Sequence, residues 1–298
     1  MKKLFFVMNP CAGTKKANRH LAEILAIFNR AGYQVNAYMT KCRGDGADAV
    51  AREAKNSDLI VCCGGDGTFN ETVEGLFRAG VDVPIGYIPA GSTNDFANSL
   101  HLPTSVVEAA KYIVEGTPKA YDVGLFDGRH FSYVASFGAF TRTSYATSQR
   151  VKNALGHSAY ILAAVRELMN IRNIHASLDL DGKKVEGDYI FGAICNSTSV
   201  AGVLTLDPKR VNMSDGLFEI MLVRKPKNMG EVMEMVHAIR DKTFHCKTMT
   251  FLSAKKVKVT MPEAVTWTLD GEEQKGAHEI EITNLYRSIR LMKKAVKK

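Results

Sequence analysis

The chain has 298 residues, of which 46% are hydrophobic and 23% are charged, and its formal net charge at pH 7 is +8. This length allows one large core or two ordinary ones, and we expect two domains. The positive charge indicates attraction to polyanions, but it does not choose among nucleotide phosphates, nucleic acid and an anionic bilayer.

The six cysteines, at positions 11, 42, 62, 63, 195 and 246, form no CxxC pair and have no histidine nearby at metal-ligand spacing. A zinc site and a disulfide framework are therefore not expected. Cys62 and Cys63 end an apolar run and are predicted to be buried core residues, not a redox pair. This cysteine usage is typical of a reducing setting, so we expect a cytoplasmic protein.

The first predicted element is a buried strand at residues 4–8. It follows two lysines as a signal peptide would, but its apolar run is shorter than a secretory core and ends at Asn9-Pro10. The longest uncharged stretch, residues 189–206, contains several polar residues and two glycines. A bilayer interior would penalise these, so no transmembrane helix is predicted.

Up to residue 122, short apolar runs alternate with helical patterns, as in the βαβ units of a parallel sheet. Strands are predicted at 4–8, 34–39, 59–63 and 85–88, and helices at 16–30, 46–56 and 70–79. Glycine-containing loops follow three of the strands, at 9–13, 64–68 and 91–93. Because ligands of open α/β sheets bind outside the carboxyl ends of the strands, we expect these loops to converge on one crevice.

After residue 122, strand patterns are separated by Asp-Gly pairs, which favour two-residue hairpin turns. The pairs are Asp127-Gly128, Asp181-Gly182, Asp215-Gly216 and Asp270-Gly271. A mostly antiparallel second domain is therefore expected. A long helix is also predicted at about 148–170, inside a stretch (142–172) that carries five basic residues and one acidic residue.

Two of the glycine loops have features of phosphate-binding loops. In Gly64-Gly65-Asp66-Gly67-Thr68, glycines let the backbone approach a phosphate, backbone N–H groups can cradle its oxygens, and Asp66 can hold Mg²⁺. The 9–13 loop follows its strand in the same way, and Lys15 or Lys16 could neutralise a polyphosphate. Neither loop is a Walker A motif or a GxGxxG turn. For either loop alone, glycines that only turn the chain remain the alternative.

Two motifs at the ends of predicted strands carry a family resemblance. They are Gly64-Gly65-Asp66-Gly67-Thr68-Phe69-Asn70-Glu71 and Ile88-Pro89-Ala90-Gly91-Ser92-Thr93-Asn94-Asp95-Phe96-Ala97. Together they resemble the diacylglycerol kinase catalytic domain of bacterial lipid kinases, whose superfamily includes sphingosine and ceramide kinases. The first motif alone also occurs in NAD kinases, whereas the second belongs to the lipid kinases. The resemblance extends over nearly the whole chain.

The resemblance implies an α/β protein with two domains. Residues 1–122 would form a parallel-sheet nucleotide-binding domain, and residues 123–298 a mostly antiparallel β-sandwich domain whose last segment can return to the first domain. The active site would lie in the cleft between them.

The resemblance also implies the roles of the loop residues. By motif position, the residues that bind ATP would be Asn9, Pro10, Cys11, Ala12, Gly13, Thr40, Gly64, Gly65, Asp66, Gly67, Thr68, Phe69, Asn70 and Thr93. Asp66 would take part in catalysis through Mg²⁺, and Asn94 and Asp95 would bind the acceptor. The chain departs from the family at Asn98, where members often have arginine.

Two carboxylates in the second domain are candidates for the catalytic base. Phosphoryl transfer to a hydroxyl needs a carboxylate that accepts the hydroxyl proton. Read locally, Asp270-Gly271 is an ordinary hairpin turn. The family carries a Leu-Asp-Gly-Glu run at this place, which implies Glu272 as the proton acceptor, while Asp270 would orient it or share Mg²⁺ with Asp66. Close carboxylates titrate as a pair, so the opposite assignment stays open.

The sequence also offers a candidate metal-binding loop in the second domain. Residues 207–217 resemble the family's segment that carries a structural Mg²⁺. The implied ligands are the carboxylate of Asp215 and the main-chain carbonyls of Asn212 and Leu217, and such oxygen ligands suit Mg²⁺. Ser214 stands where many relatives have a second acid, and a plain turn is the alternative reading.

The leading hypothesis is an ATP-dependent lipid kinase that transfers the γ-phosphoryl group of ATP to a lipid hydroxyl, most simply that of diacylglycerol, giving phosphatidic acid. The alternative is a kinase of a soluble acceptor such as NAD on a related nucleotide domain. A binding protein without catalysis is disfavoured because Asp66, Asp270 and Glu272 are all present.

The expected partners are ATP with Mg²⁺ and a lipid at an anionic membrane surface, and a homodimer is left open. The stretch at 142–172 could press an amphipathic face onto anionic lipid, or it could pack on the second domain with solvated arginines. Nucleic acid is not expected, because aromatic residues are not interleaved with the basic ones.

Overall fold

A computed structural model of the chain describes residues 1–13, 15–138, 171–200, 204–206, 211–241, 243–244 and 246–294. The chain folds into two compact units. The N-terminal unit contains residues 1–123 and the segment that begins at Tyr286, and the C-terminal unit contains residues 124–285. The helix predicted at 148–170 lies outside the described residues.

The N-terminal unit alternates strands and helices. Its elements are β1 (Lys2–Met8), α1 (Lys16–Arg19), α2 (Leu21–Arg30), β2 (Tyr33–Met39), α3 (Asp45–Glu53), a 3₁₀ turn (Ala54–Asn56), β3 (Leu59–Gly64), α4 (Asp66–Ala79), β4 (Ile85–Pro89), α5 (Asp95–Ser99), α6 (Val106–Val114) and the first part of β5 (Thr117–Phe126). The four predicted strands are confirmed. The helix predicted at 16–30 is two helices, because the backbone at His20 leaves helical geometry and its ring meets the carboxylate of Glu23 at 3.2 Å.

The sheet of this unit has its first four strands in the order β2-β1-β3-β4, all parallel. The register pairs Met8 with Met39 and with Cys63, and pairs Cys63 with Ile88. All four strands therefore end at one edge. Every residue of β3 is buried, because α-helices cover both faces of such a sheet and a continuous apolar run fits it.

Helix α3 lies close against α4, and Gly75 makes this approach possible. A Cβ built at Gly75 would lie 2.6 Å from the Ala47 carbonyl oxygen and 2.7 Å from the Val50 Cβ. Arg78 of α4 also forms an ion pair with Asp48 of α3 (Nη1 to Oδ1, 3.1 Å), but this pair is exposed and contributes little. Close packing at Gly75 therefore holds the two helices together.

We expect Gly75→Ala to lower the free energy of unfolding by about 1–3 kcal/mol, because the added methyl meets backbone that cannot move aside. Helix propensity alone predicts the opposite sign, a gain of about 0.5–1 kcal/mol. Urea denaturation followed by circular dichroism measures the difference. A variant as stable as the parent would show that the contact between α3 and α4 can accommodate the added methyl group.

The C-terminal unit consists mainly of strands. Its elements are the end of β5, β6 (Arg129–Phe131), β7 (Val134–Gly138), β8 (Ile174–Leu180), β9 (Lys183–Tyr189), β10 (Phe191–Cys195), β11 (Ser199–Val200), β12 (Leu204–Thr205), β13 (Phe218–Val223), α7 (Met229–Arg240), β14 (Met249–Ala254), β15 (Lys256–Thr260), β16 (Trp267–Leu269), β17 (Glu272–Gln274) and the first part of β18 (Glu279–Lys293). Strand β18 continues into the N-terminal unit.

Among the described residues, two antiparallel sheets form the sandwich of this unit, and β11 and β12 pair with each other as a separate antiparallel pair. In one, β15 pairs with β8 and with β18, and β8 pairs with β9; the other has the order β14-β13-β10-β7-β16-β17. Leu178 and Val257 of the first sheet and Phe137 and Trp267 of the second share one buried core. The predicted antiparallel β-sandwich is confirmed.

Three of the four Asp-Gly pairs form the predicted hairpin turns. Asp127, Asp181 and Asp270 have φ of 43°, 51° and 49°, and the glycine after each also has positive φ, as two-residue turns of this type require. The prediction was wrong for Asp215-Gly216. Among the described strands, β13 pairs with β10 and β14, and β12 pairs with β11, so this turn joins no hairpin. An Asp-Gly pair specifies the turn, but not the strands on either side.

Cys62 and Cys63 are buried core residues, as the sequence predicted. Cys62, Cys63 and Cys195 are buried, and burial raises the pKa of all three thiols, that of Cys63 to about 12. Cys11 and Cys42 are exposed. Within the described ranges, no helix combines the length and the apolar composition needed to span a bilayer.

Candidate active site

Three loops of the N-terminal unit meet at the carboxyl edge of its sheet, after β1, β3 and β4. A Cβ built at Gly13 would lie 2.4 Å from the carbonyl oxygen of Ala90, and one built at Gly91 would lie 2.5 Å from the Cα of Gly65. Backbones can approach this closely only where both side chains are absent or turned away, which is why glycine stands here. The predicted convergence of the three loops is confirmed.

The loop after β1 is a folded turn tied to the neighbouring strand. The N–H of Asn9 donates to the carbonyl of Cys63 at the end of β3 (3.0 Å), and the Asn9 Oδ1 accepts the N–H of Cys11 (2.9 Å). Pro10 and Ala12 are half-buried. The predicted nucleotide-binding residues of this loop therefore belong to one compact turn.

Helix α4 begins at Asp66, directly after the glycines of the β3 loop. Gly64 makes the tight turn possible, because a Cβ there would lie 2.3 Å from the Thr68 Oγ1. Thr68 and Phe69 are buried, whereas Gly67 is exposed. The first-turn N–H groups of a helix and its dipole favour an anion. This loop is thus suited to bind phosphate.

The carboxylate of Asp66 binds the start of the next helix along the edge. Its Oδ2 accepts the N–H of Asp95 (3.0 Å) and its Oδ1 accepts the N–H of Phe96 (3.2 Å), the first two residues of α5. Asp66 is only 9% exposed. In this structure the carboxylate therefore fixes the start of α5, and its predicted binding of Mg²⁺ stays a prediction.

The loop before α5 is fastened by side-chain amides. Asn94 has φ of 53°, its Oδ1 accepts the N–H of Gly91 (2.9 Å), and its Nδ2 donates to the Gly91 carbonyl (3.0 Å). Asn98 donates from Nδ2 to the carbonyl of Thr93 (2.8 Å). Asn94 thus braces the loop, and the acceptor-binding roles of Asn94 and Asp95 stay predictions.

Thr40 stands at the same edge, one residue after β2. Its N–H donates to the carbonyl of Met8 at the end of β1 (2.9 Å). Glu71 of helix α4 holds the loop that begins at Thr40, because its carboxylate accepts the N–H groups of Gly44 (2.7 Å) and Gly46 (3.0 Å). Glu71 follows Asn70 directly in the phosphate-loop motif. The β2 loop and the β3 loop are therefore linked by one side chain.

In the C-terminal unit, Asp270 is a buried acceptor of backbone hydrogen bonds. It is 5% exposed, and its carboxylate accepts the N–H groups of Ser132 (2.5 Å), Tyr133 (2.9 Å) and Val134 (2.8 Å). Its own N–H donates to the Val134 carbonyl (2.9 Å). Asp270 thus joins the β16–β17 hairpin to the start of β7. The backbone at Asp270-Gly271 forms the hairpin turn that the local sequence predicted.

Glu272 differs from Asp270 in both exposure and partner. Its side chain is 34% exposed, and its Oε2 forms an ion pair with the Nη2 of Arg129 (2.6 Å). Arg129 also donates from Nη1 to the Gln274 Oε1 (2.8 Å). The guanidinium therefore fixes the direction of the Glu272 carboxylate while leaving it within reach of solvent.

The predicted metal ligands lie in an exposed turn before β13. The Oδ1 of Asp215 accepts the N–H of Leu217 (3.1 Å), and the Oδ1 of Asn212 accepts the N–H of Ser214 (3.2 Å). Among the described residues no group of three or more histidine, cysteine, aspartate or glutamate side chains could hold a metal ion. The one carboxylate and the carbonyl oxygens of this turn are of the type that Mg²⁺ takes together with water.

Comparison with known proteins agrees with both units. The family model described as "Diacylglycerol kinase catalytic domain" matches residues 3–126, and the one described as "YegS C-terminal NAD kinase beta sandwich-like domain" matches residues 134–290. The diacylglycerol kinase of Bacillus subtilis (strain 168) is 32% identical over 295 residues, which are 98% of this chain and 96% of that protein. The chain belongs to the bacterial diacylglycerol kinase-like family.

Other members of the family are similar over most of their length. The diacylglycerol kinase of Staphylococcus carnosus (strain TM300) is 31% identical over 91% of this chain and 89% of its own. A solved structure described as a diacylglycerol kinase from Bacillus anthracis str. Sterne has a TM-score of 0.76 at 22% identity, and another chain from that strain has 0.82 at 25%; each covers 98% of this chain and 97% of its own. These structures confirm the fold, and the family name supports a kinase.

Some contacts of this diacylglycerol kinase-like protein could not be read from its motifs. Arg129 follows a hairpin signal and lies 143 positions from Glu272 in the sequence. The amide partners of Asp66 and Asp270 are backbone groups, which carry no residue-type signal. Glu71 stands out as the last residue of a family motif, but its partners Gly44 and Gly46 do not.

We expect Asp270→Asn to lower the free energy of unfolding by about 1–3 kcal/mol, because an amide N–H₂ then faces buried N–H donors. Asp181→Asn is the matched control. Asp181 is the aspartate of another Asp-Gly hairpin, and its carboxylate accepts the N–H groups of Lys255 (2.7 Å) and Lys256 (2.9 Å), but it is exposed to water. Urea denaturation of both variants is the measurement. Equal losses would show that burial of the Asp270 carboxylate is unimportant.

Proposed function

We propose that this protein is an ATP-dependent lipid kinase that transfers the γ-phosphoryl group of ATP to a lipid hydroxyl, with diacylglycerol as acceptor and phosphatidic acid as product. The observation that carries the proposal is the meeting of three glycine loops at the carboxyl edge of a parallel sheet, beside the Asp66 carboxylate. The lipid acceptor is supported by relatives named diacylglycerol kinase that match almost end to end.

The proposed nucleotide site uses the backbone of the three loops and the residue after β2. Loop N–H groups and the start of α4 bind the phosphates, since they present donors without bulky side chains. The residues involved are Asn9, Pro10, Cys11, Ala12, Gly13, Thr40, Gly64, Gly65, Asp66, Gly67, Thr68, Phe69, Asn70 and Thr93. Asp66 would hold Mg²⁺, whose positive charge would neutralise the transferred phosphoryl group.

Glu272 is the proposed proton acceptor for the lipid hydroxyl. A base must reach the substrate, and Glu272 is part-exposed and oriented by Arg129, whereas Asp270 is buried and accepts three backbone N–H groups. Asp270 therefore positions Glu272 through the hairpin that carries both residues. Asn94 and Asp95 are proposed at the acceptor end of the nucleotide loops.

A second Mg²⁺ is proposed at the turn before β13, where it would have a structural role. The Asp215 carboxylate with the carbonyl oxygens of Asn212 and Leu217 would hold it, completed by water. The lipid would be met at an anionic, cytoplasmic membrane surface, in keeping with the net charge of +8. A homodimer is compatible with the proposal but is not required by it.

The proposal is tested by a transfer assay with radiolabelled ATP and Mg²⁺ across diacylglycerol, sphingosine, ceramide, phosphatidylglycerol and NAD. We expect label in phosphatidic acid at a rate at least ten times that on NAD, because the acceptor class follows the relatives. If only another lipid is labelled, the proposed acceptor is wrong but the proposed lipid kinase activity stands. Label on NAD alone, or on no acceptor, would refute it.

We expect Glu272→Gln to lower kcat by roughly 10²-fold with little change in ATP affinity, because glutamine keeps the shape but cannot accept a proton. Glu273→Gln is the matched control, since Glu273 is the next residue of β17 and is exposed. Rates are measured at saturating ATP and diacylglycerol, with unfolding curves for both variants. If Glu272→Gln keeps most of its activity, Glu272 is not the base.

A further inference from the structure

The loop between β2 and α3, residues 40–44, carries side chains suited to a polyphosphate. It begins with Thr40 at the carboxyl edge of the sheet and contains two exposed cationic residues, Lys41 and Arg43. The strand before it pairs with β1, whose following loop meets the β4 loop. The 40–44 loop therefore belongs to the same edge as the phosphate loops.

Two sets of hydrogen bonds hold this loop, one within the segment itself and one to helix α4. Within the segment, Asp45 accepts the N–H of Lys41 (2.8 Å) and the hydroxyl of Tyr38 (2.8 Å). The Lys41 N–H, followed by the Tyr38 hydroxyl, holds the pKa of the Asp45 carboxyl below its usual range. Across to α4, each oxygen of the Glu71 carboxylate accepts one N–H, from Gly44 and from Gly46. Of these two sets, only the hydrogen bonds to Glu71 connect the loop to α4, the helix that follows the β3 glycine loop.

We propose that Glu71 is a positioning residue for the nucleotide: its carboxylate holds the 40–44 loop against α4, so that Thr40 and the cations Lys41 and Arg43 stay at the edge where the phosphate loops meet. The proposal rests on the proposed use of ATP. Each oxygen of the Glu71 carboxylate accepts a backbone N–H group, so the proposed role of Glu71 acts through the loop and not through contact with the substrate. A loop fixed in advance loses less entropy on binding, so the effect falls on nucleotide affinity.

The packing around Gly46 supplies an independent way to break this contact. A Cβ built at Gly46 would lie 2.6 Å from the Glu71 Oε2, while its other close neighbours are ordinary contacts at 3.4 Å or more. Gly46 is in α3 and has no positive φ, so alanine suits its backbone and is a better helix former. Gly46→Ala should therefore displace the Glu71 carboxylate without unfolding the helix.

The experiment compares Glu71→Gln, Glu71→Ala, Gly46→Ala and the double variant Gly46→Ala/Glu71→Ala in the full chain. Glu74→Gln is the control, because Glu74 is on the same helix and pairs with Arg78 on the surface (2.9 Å). The Kd of a non-hydrolysable Mg-ATP analogue is measured by calorimetry, and kcat and the KM of both substrates by the transfer assay.

We expect Glu71→Ala and Gly46→Ala each to raise the nucleotide Kd and KM roughly ten-fold, with kcat and the KM of diacylglycerol changed less than two-fold. Glu71→Gln should have a smaller effect, since glutamine can still accept one N–H. The double variant should be no worse than either single one, because both remove the same contact. Additive losses, or a fall in kcat with unchanged nucleotide affinity, would overturn the proposal.

Thiol labelling gives a readout that does not depend on catalysis. Cys42 lies in the 40–44 loop and Cys11 in the β1 loop, and both are exposed. We expect Glu71→Ala to raise the rate of Cys42 alkylation by maleimide, located by mass spectrometry, while that of Cys11 stays within two-fold. An unchanged Cys42 rate would contradict a loop held by Glu71. Failure of the parent to bind the nucleotide would instead refute the proposed function.

Discussion

The N-terminal unit depends on close approaches between backbones at the edge of its sheet. Gly13 lies against Ala90, and Gly65 lies against Gly91, at distances where no side chain fits. Strands β1 and β4 flank β3, so their loops can meet only across the end of β3, over its own glycine loop. This crowding removes side chains from the edge and leaves backbone N–H groups as the main donors, which is what a phosphate needs.

Acidic side chains are used repeatedly to bind backbone amides near these loops and turns. Asp66 holds the start of α5, Glu71 holds the 40–44 loop, and Asp270 holds the start of β7. An ionised carboxylate is a strong acceptor of N–H groups and can satisfy several at once. The acidic residues of a kinase motif therefore need not all face the substrate, and their amide partners decide which of them can.

Most of the fold was predictable because buried parallel strands are continuous apolar runs, and β1, β3 and β4 were placed within one or two residues. The convergence of the loops followed from strand direction alone. The break at His20 is local, beside a contact with Glu23, and the apolar pattern of the helix did not show it. The role of Asp215-Gly216 was not predictable, since it depends on the strands that the chain pairs after folding. The same is true of Arg129, whose pairing with Glu272 requires that β6 and β17 be brought together by the sandwich.

The proposed division of roles between Asp270 and Glu272 is based on their local geometry, because their spacing in the sequence does not distinguish them. Both residues lie in the Leu-Asp-Gly-Glu run at 269–272, and the family resemblance implies acidic chemistry for the run as a whole. The hairpin places Asp270 at a positive φ with its carboxylate among three N–H groups, where water and substrate have little access. Glu272 comes two residues later, in a strand, and meets Arg129 at the surface. A base has to gain and release a proton in each turnover, and of the two carboxylates only that of Glu272 combines exposure with a fixed direction.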